Sequence, residues 1–286
     1  MKTPTFLLGG ELCVNRVGFG AMRLCAQPGN FGPFPDWEAG KRLIRRAVEL
    51  GVNFIDTAHA YGPGWNETLI GEALEGFARQ VVVATKGGVE KTAPDRVFPD
   101  GRPGQLRLRC EESLQRLKLE RIDLYQLHRP DPAVAFAESV GALVQLRSEG
   151  KIRLIGLSNV TLAQLEEALT LTPVASVQNR YNLHEREDED VLQFCQNHGI
   201  AYLPWGPLAA KPFAADAPLA RDQRLAEVAR SLGATAGQIA LAGLLQHAPN
   251  VLLIPGTTTL AHLEENIGAG QITLDAETLH SLRAAG

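Results

Sequence analysis

The strongest constraint on this chain is an alternation that runs along nearly its whole length. Short runs rich in β-branched residues recur, and an apolar pattern with helical spacing follows each one. Eight runs read as strands: Arg16–Ala21, Val52–Asp56, Val81–Lys86, Ile122–His128, Ile152–Ser158, Val174–Asn179, Ala201–Trp205 and Val251–Pro255. Helical patterns cover Trp37–Leu50, Glu67–Phe77, Leu106–Leu117, Val134–Glu149, Leu162–Leu169, Glu187–His198, Ala236–Gln246 and Leu260–Ile267. Successive βα units imply parallel strands joined by right-handed crossovers. An open doubly wound sheet could hold such units, but eight is the number that closes a (β/α)8 TIM barrel.

Punctuation along the chain supports these boundaries. Gly9-Gly10 between Phe6–Leu8 and Leu12–Val14 reads as a hairpin, placed to plug the N-terminal mouth of the barrel. Thr161 and Gln164 have capping-box spacing, and Gly51 and Gly199 follow helical runs as left-handed caps. Leu219–Leu232 and the tail Asp275–Arg283 read as extra C-terminal helices. No linker or low-complexity segment divides the chain, so residues 1–286 read as a single barrel domain.

Composition narrows the partners. Lys and Arg total 28 against 32 Asp and Glu, a net charge of −4, with no long run of either sign. That leaves no electrostatic footprint for nucleic acid. No apolar run approaches the ~20 residues of a membrane span, and the first residues show no apolar signal segment. The four cysteines, Cys13, Cys25, Cys110 and Cys195, are scattered and form no CxxC pair. In a chain of this length they read as reduced thiols, and the location as cytoplasmic. The expected state is a monomer or weak homo-oligomer acting on a small molecule.

In a barrel, the C-terminal strand ends converge on one mouth. Strand two ends in Asp56, strand three in Lys86 and strand four in His128, and Tyr61 lies five positions past Asp56. Singly, each has an ordinary structural role: a strand-end cap, a solvated ammonium, a lone imidazole, a loop aromatic. Together they suit carbonyl reduction. A free tyrosine is a weak acid with a pKa of about 10. Lys86 is placed to lower that value, Asp56 to hold Lys86, and His128 to donate a hydrogen bond to a carbonyl oxygen. Tyr61 then protonates that oxygen as hydride reaches the carbon.

Five separated motifs carry a resemblance. Asp56-Thr57-Ala58 with Tyr61-Gly62, Thr85-Lys86-Gly87, Leu127-His128-Arg129-Pro130-Asp131, Gly156-Leu157-Ser158-Asn159 and Val177-Gln178-Asn179 resemble the aldo-keto reductase superfamily, in its order and at strand ends. The resemblance implies that Asp56, Tyr61, Lys86 and His128 form the catalytic tetrad. Phe6–Gly9, Val14–Met22 and Ile254–Thr257 further resemble a bacterial subgroup that includes pyridoxal reductases. It implies reduction of small aldehydes or ketones, with pyridoxal a candidate.

The second half of the barrel offers amides and hydroxyls at its strand ends: Ser158, Asn159 and Gln178. Such groups suit a nicotinamide carboxamide, and the resemblance assigns them to it. It also implies that Trp205 stacks on the nicotinamide, and that Leu208 and the loop after it cross the pyrophosphate. Gly256, Thr257, His262, Glu265 and Asn266 match the adenosine-phosphate end. No GxGxxG fingerprint follows a strand, so a Rossmann route has no support. Many NADPH-preferring members carry lysine at the position of Gly256 and arginine at that of His262. Both cations are missing here; NADPH remains the expected cofactor, with NADH as the other choice.

The glycine- and proline-containing segment Met22–Trp37, with Phe31, Phe34 and Trp37, and the neighbouring Trp65 suit the wall of a neutral carbonyl site. Two other classes compete. One is a non-catalytic or regulatory nicotinamide-binding protein on the same scaffold, like the channel-associated members of the family. The other is a metal-dependent barrel hydrolase using Asp56, His59 and His128, against which stands the lack of a tight HxH cluster at a strand end.

Overall fold

The computed structural model describes residues 4–77, 80–209 and 218–283. The N-terminal hairpin pairs β1 (Thr5–Leu8) with β2 (Leu12–Asn15) around Gly9 and Gly10, both at positive φ. A Cβ on Gly9 would stand 2.6 Å from Leu154 Cδ2, and the positive φ of 59 at this turn position favours glycine. Leu8 and Val14 are fully buried and share a cluster with Phe54, Ala84, Leu124 and Leu252. The hairpin is thus the floor of the barrel.

Beyond it come β3 (Phe19–Gly20), a 3-10 turn over Ala21–Arg23, α1 (Trp37–Glu49), β4 (Phe54–Asp56), α2 (Trp65–Ala73) and β5 (Val82–Gly87). A second hairpin, β6 (Val89–Ala93) and β7 (Arg96–Pro99), precedes α3 (Pro103–Leu117). Then follow β8 (Ile122–Leu127), α4 (Phe136–Ser148), β9 (Ile152–Ser158), α5 (Leu162–Leu171), β10 (Ser176–Gln178), α6 (Glu189–Asn197) and β11 (Ala201–Tyr202). The chain ends through α7 (Pro218–Arg221), α8 (Gln223–Leu232), α9 (Ala236–His247), α10 (Leu260–Gly268) and α11 (Ala276–Arg283). Among the described residues no single helix is long and apolar enough to cross a membrane.

Seven strands form one parallel sheet in the order β3-β4-β5-β8-β9-β10-β11. The eighth segment, Val251–Pro255, is not a regular strand. It makes parallel bridges from Leu253 to Val17 and from Val251 to Tyr202. Gly18 N donates to Leu253 O at 2.8 Å, Leu253 N to Arg16 O at 2.8 Å, and Leu252 N to Tyr202 O at 2.9 Å. These bonds join the first strand to the last and close the ring. Pro255 has no amide hydrogen to donate, but its carbonyl still accepts from Gly20 N at 3.3 Å. The Arg16 guanidinium adds a clamp, its Nε donating to Val251 O at 2.9 Å and Nη2 to Ala248 O at 2.6 Å.

Local signals account for most element ends. The Thr161–Gln164 capping box is formed, and a second box joins Thr235 and Gln238. Asp222 caps α8 through Leu225 N, which splits the expected helix 219–232 into α7 and α8. The β6–β7 hairpin has no counterpart among the expected elements. Lys91 on it donates to Gly29 O, bracing the long segment after β3.

Barrel closure depends on one close approach. A Cβ on Gly20 would lie 2.3 Å from the carbonyl oxygen of Ile254, a backbone atom that cannot swing aside. Gly20→Ala should therefore destabilise the fold by about 1–3 kcal/mol, as overpacking does. Urea unfolding followed by circular dichroism measures this; an unchanged midpoint would contradict the account.

Candidate active site

Strand ends gather the ionisable residues. Asp56 is the last residue of β4, Lys86 lies near the end of β5, His128 follows β8, and Tyr61 stands in the loop between β4 and α2. The Lys86 side chain is fully buried. Its Nζ donates to Asp56 Oδ2 at 2.7 Å, to Thr57 O at 2.7 Å and to Tyr61 Oη at 3.4 Å. Asp56 Oδ1 accepts from Gln178 Nε2 at 2.8 Å and from Gln126 Nε2 at 3.2 Å. Each carboxylate oxygen therefore has a donor. The Tyr61 and His128 rings meet edge-on, with centroids 5.8 Å apart.

These contacts set the charge states. Burial raises the Tyr61 phenol above its ordinary value; Lys86 pulls it down, and Asp56 pushes it up again. The net direction is opposite to the lowering expected from Lys86 alone, because the whole phenol is withdrawn from water. Burial also works against the Lys86 ammonium, but Asp56 and Tyr61 outweigh it and raise its value, so it stays charged. Burial first, then Lys86 and Arg129, push His128 well below the usual histidine range. The imidazole is neutral at physiological pH and carries a single N–H to donate.

The amide half lies on β9 to β11. Asn159, at φ 57, donates from Nδ2 to His128 O at 3.0 Å and to Ser158 Oγ at 3.0 Å. Its Oδ1 accepts from Trp205 Nε1 at 3.1 Å. The Arg180 guanidinium lies 5.3 Å from the centre of the Trp205 ring. Gln178 is drawn toward the ionisable cluster through Asp56, to which its amide nitrogen donates. Leu208 is half-buried against the core, and the loop expected to cross a pyrophosphate, residues 210–217, lies outside the described residues.

Farther along, Gly256 is exposed, and a Cβ there would meet Gly20 O at 2.7 Å. That approach accounts for the missing side chain. Thr257 is buried and accepts from Thr259 N at 3.1 Å. Thr259 caps α10 by accepting from His262 N at 3.3 Å. His262, Glu265 and Asn266 are half-buried, one turn apart on a shared face of α10.

Sequence reasoning missed Gln126, although the period-two pattern that turns His128 inward turns residue 126 inward too. It also missed a charged network behind the loop of Tyr61. Arg116 joins His59 and Glu67, while Arg109 pairs with Glu90 through both oxygens at 2.7 Å. Among the described residues, no three His, Cys, Asp or Glu side chains cluster to hold a metal ion.

A parallel barrel with these groups at its C-terminal mouth defines a recognisable class. Residues 16–286 match the Aldo/keto reductase family, and the chain belongs to that family of oxidoreductases. An uncharacterised oxidoreductase of Schizosaccharomyces pombe is 42% identical over 277 residues, 97% of this chain and 88% of that protein. Pyridoxine 4-dehydrogenase of Escherichia coli is 38% identical over 289 residues, 99% of this chain and 98% of the enzyme. The crystal structure of an aldo/keto reductase from Klebsiella pneumoniae with NADP and acetate superposes with a TM-score of 0.83 at 28% identity. That alignment covers 99% of this chain and 95% of the other.

The network behind the site has a pH signature. Burial opposes ionisation of Glu90, but nearby His59 and the two hydrogen bonds from Arg109 outweigh it and hold the carboxyl at about 2, below the reference 4.5. A depressed folded-state value stabilises fully above pH 4.5, and the contribution is lost as pH falls toward 2. Thermal melts should hold from about pH 7 to about pH 5 and decline below that. Glu90→Gln should show a smaller decline on the acid side; an identical acid profile would contradict this account.

Proposed function

We propose that residues 1–286 form one barrel domain that reduces an aldehyde or ketone to an alcohol with NADPH, using Tyr61 as general acid. The observation that carries this reading is the buried Lys86 ammonium, within reach of both the Asp56 carboxylate and the Tyr61 hydroxyl. The arrangement keeps a protonated phenol next to a fixed positive charge. As the carbonyl oxygen gains negative charge, the Tyr61 O–H delivers its proton to that oxygen. Lys86 stabilises the phenolate left behind, and Asp56 holds Lys86 charged and in place. Neutral His128 donates its N–H to the same oxygen and orients it.

NADPH, when bound, supplies the hydride. The residues present fit it: Ser158, Asn159 and Gln178 offer amide and hydroxyl groups for the carboxamide, and Trp205 is fixed by Asn159 as a stacking surface. Leu208 and the loop after it would hold the pyrophosphate. Gly256, Thr257 and His262 lie about the start of α10, whose N-terminal amides suit a phosphate, and Glu265 and Asn266 follow one turn after His262 on the same face. The Klebsiella relative that holds NADP supports this choice, with NADH the weaker alternative.

The substrate class is a small aldehyde, with pyridoxal the leading candidate. Trp65, 48% exposed, meets the Trp37 ring edge-on at 6.1 Å, and exposed Met22 lies in the segment after β3. Such apolar walls suit a flat neutral ring. The pyridoxine 4-dehydrogenase relative supports the same class.

Tyr61→Phe tests the proton donor. It should cut turnover about 100-fold or more while NADPH affinity stays within about twofold. Steady-state rates with pyridoxal and simple aldehydes, each with NADPH and NADH, read the outcome. Full turnover in the variant would overturn the role of Tyr61.

A further inference from the structure

The loop that carries Tyr61 leaves β4 at Asp56 and enters α2 at Trp65, turning through Gly62 and Gly64, which sit at φ 68 and 80. Beneath it lies Arg116, in the last turn of α3. Arg116 Nη2 bonds His59 Nδ1 at 2.9 Å, and because a guanidinium only donates, the ring nitrogen accepts. Arg116 Nε donates to Glu67 Oε2 at 2.8 Å. Glu67 Oε1 accepts from Thr85 Oγ1 at 2.5 Å, and Thr85 is the residue before Lys86. A Cβ on Gly64 would come within 3.0 Å of Arg116 Cδ and Nε, so the guanidinium packs directly on the loop. One side chain therefore ties together the imidazole two residues before Tyr61, the first turn of α2 and, through Glu67, the strand that carries Lys86.

Packing alone does not require this. Glu67 is fully buried, and a buried ion pair is commonly no more stabilising than apolar side chains of the same volume. What a planar guanidinium fork adds is fixed geometry. We propose that Arg116 is a positioning residue for the reduction, setting the approach of the Tyr61 hydroxyl to the Lys86 ammonium. This rests on the reading of Tyr61 as proton donor. Arg116 acts through the loop it braces at His59 and Gly64, and its partner Glu67 carries the constraint across to β5.

Three variants separate positioning from support of the fold. Arg116→Met should lower kcat about 10- to 100-fold, the scale of a misplaced reacting group. NADPH affinity should not change, because the proposed cofactor residues stand on other elements. The solvent isotope effect on kcat should rise as proton transfer becomes limiting. Arg116→Met also leaves Glu67 buried without its cation, so melting temperature should drop. Arg116→Met combined with Glu67→Gln removes that charge and should recover melting temperature while kcat stays low. Arg116→Lys, a cation without the fork, should restore part of kcat. Recovery of kcat together with stability in the double variant, or full kcat in folded Arg116→Met, would overturn the proposal. Tyr61→Phe measured alongside distinguishes the premise: full turnover there removes the donor role itself, whereas an inactive Tyr61→Phe with fully active Arg116 variants removes only the positioning role.

Discussion

A lysine ammonium with no access to water organises the mouth of this barrel. Taking such a charge out of water costs several kcal/mol unless a counter-charge and hydrogen bonds replace the lost hydration. Asp56 Oδ2, the Thr57 carbonyl and the Tyr61 hydroxyl are that replacement for Lys86. The requirement then propagates. Asp56 has a second oxygen, which takes donors from Gln126 on β8 and Gln178 on β10. Barrel layers draw side chains from alternate strands and are usually filled by branched apolar residues. Here the uppermost layer is polar because one buried charge demands it. Space is adjusted to match: a Cβ on Gly156 of β9 would fall 2.8 Å from Gln126 Cγ and 2.4 Å from Ser176 Oγ.

The same charge divides the mouth into two chemistries. On β4, β5 and β8, ionisable groups are pushed in opposite directions: Lys86 is kept cationic, Tyr61 protonated and His128 neutral. On β9 to β11 the strand ends carry amides, a hydroxyl and an indole. Two amides connect the halves. Gln178 reaches Asp56, and Asn159 links the His128 carbonyl to the Trp205 indole. Neutral amides transmit orientation without adding charge, so geometry on the amide side can be specified without disturbing the electrostatics around Tyr61.

Much of this was legible in the sequence because it is local. Period-two alternation and strand ends locate Asp56, Lys86, His128 and Gln178, and the Thr161 and Gln164 pair announces its own helix start. Other features have no local signature. Arg116 and Glu67 are 49 residues apart, and only the packing of α2 against α3 brings them together. The eighth segment pairs through scattered bridges, so its β-branched run overstates its regularity. Trp205, read as a strand end, lies beyond β11 and is set by a bridge to Arg180. The direction of the Tyr61 shift depends on how deeply the phenol is buried, and a list of neighbouring charges does not contain that quantity.

The loop before α10, the proposed phosphate end, shows how backbone geometry can limit the side chains a site may carry. Gly20 and Gly256 approach so closely that a Cβ on residue 256 would strike the Gly20 carbonyl at 2.7 Å. Barrel closure through the eighth segment brings the two together, since Gly20 N donates to Pro255 O at 3.3 Å. A lysine at position 256 is therefore incompatible with the way this ring closes. In the proposed cofactor site, negative charge must instead be met by the Thr257 and Thr259 hydroxyls and the free amides that open α10. Amides and hydroxyls stabilise an anion less than a lysine does, and they discriminate less strongly between a phosphate and a hydroxyl at the same position. With the cofactor site as proposed, cofactor selectivity and barrel closure are coupled through this glycine pair.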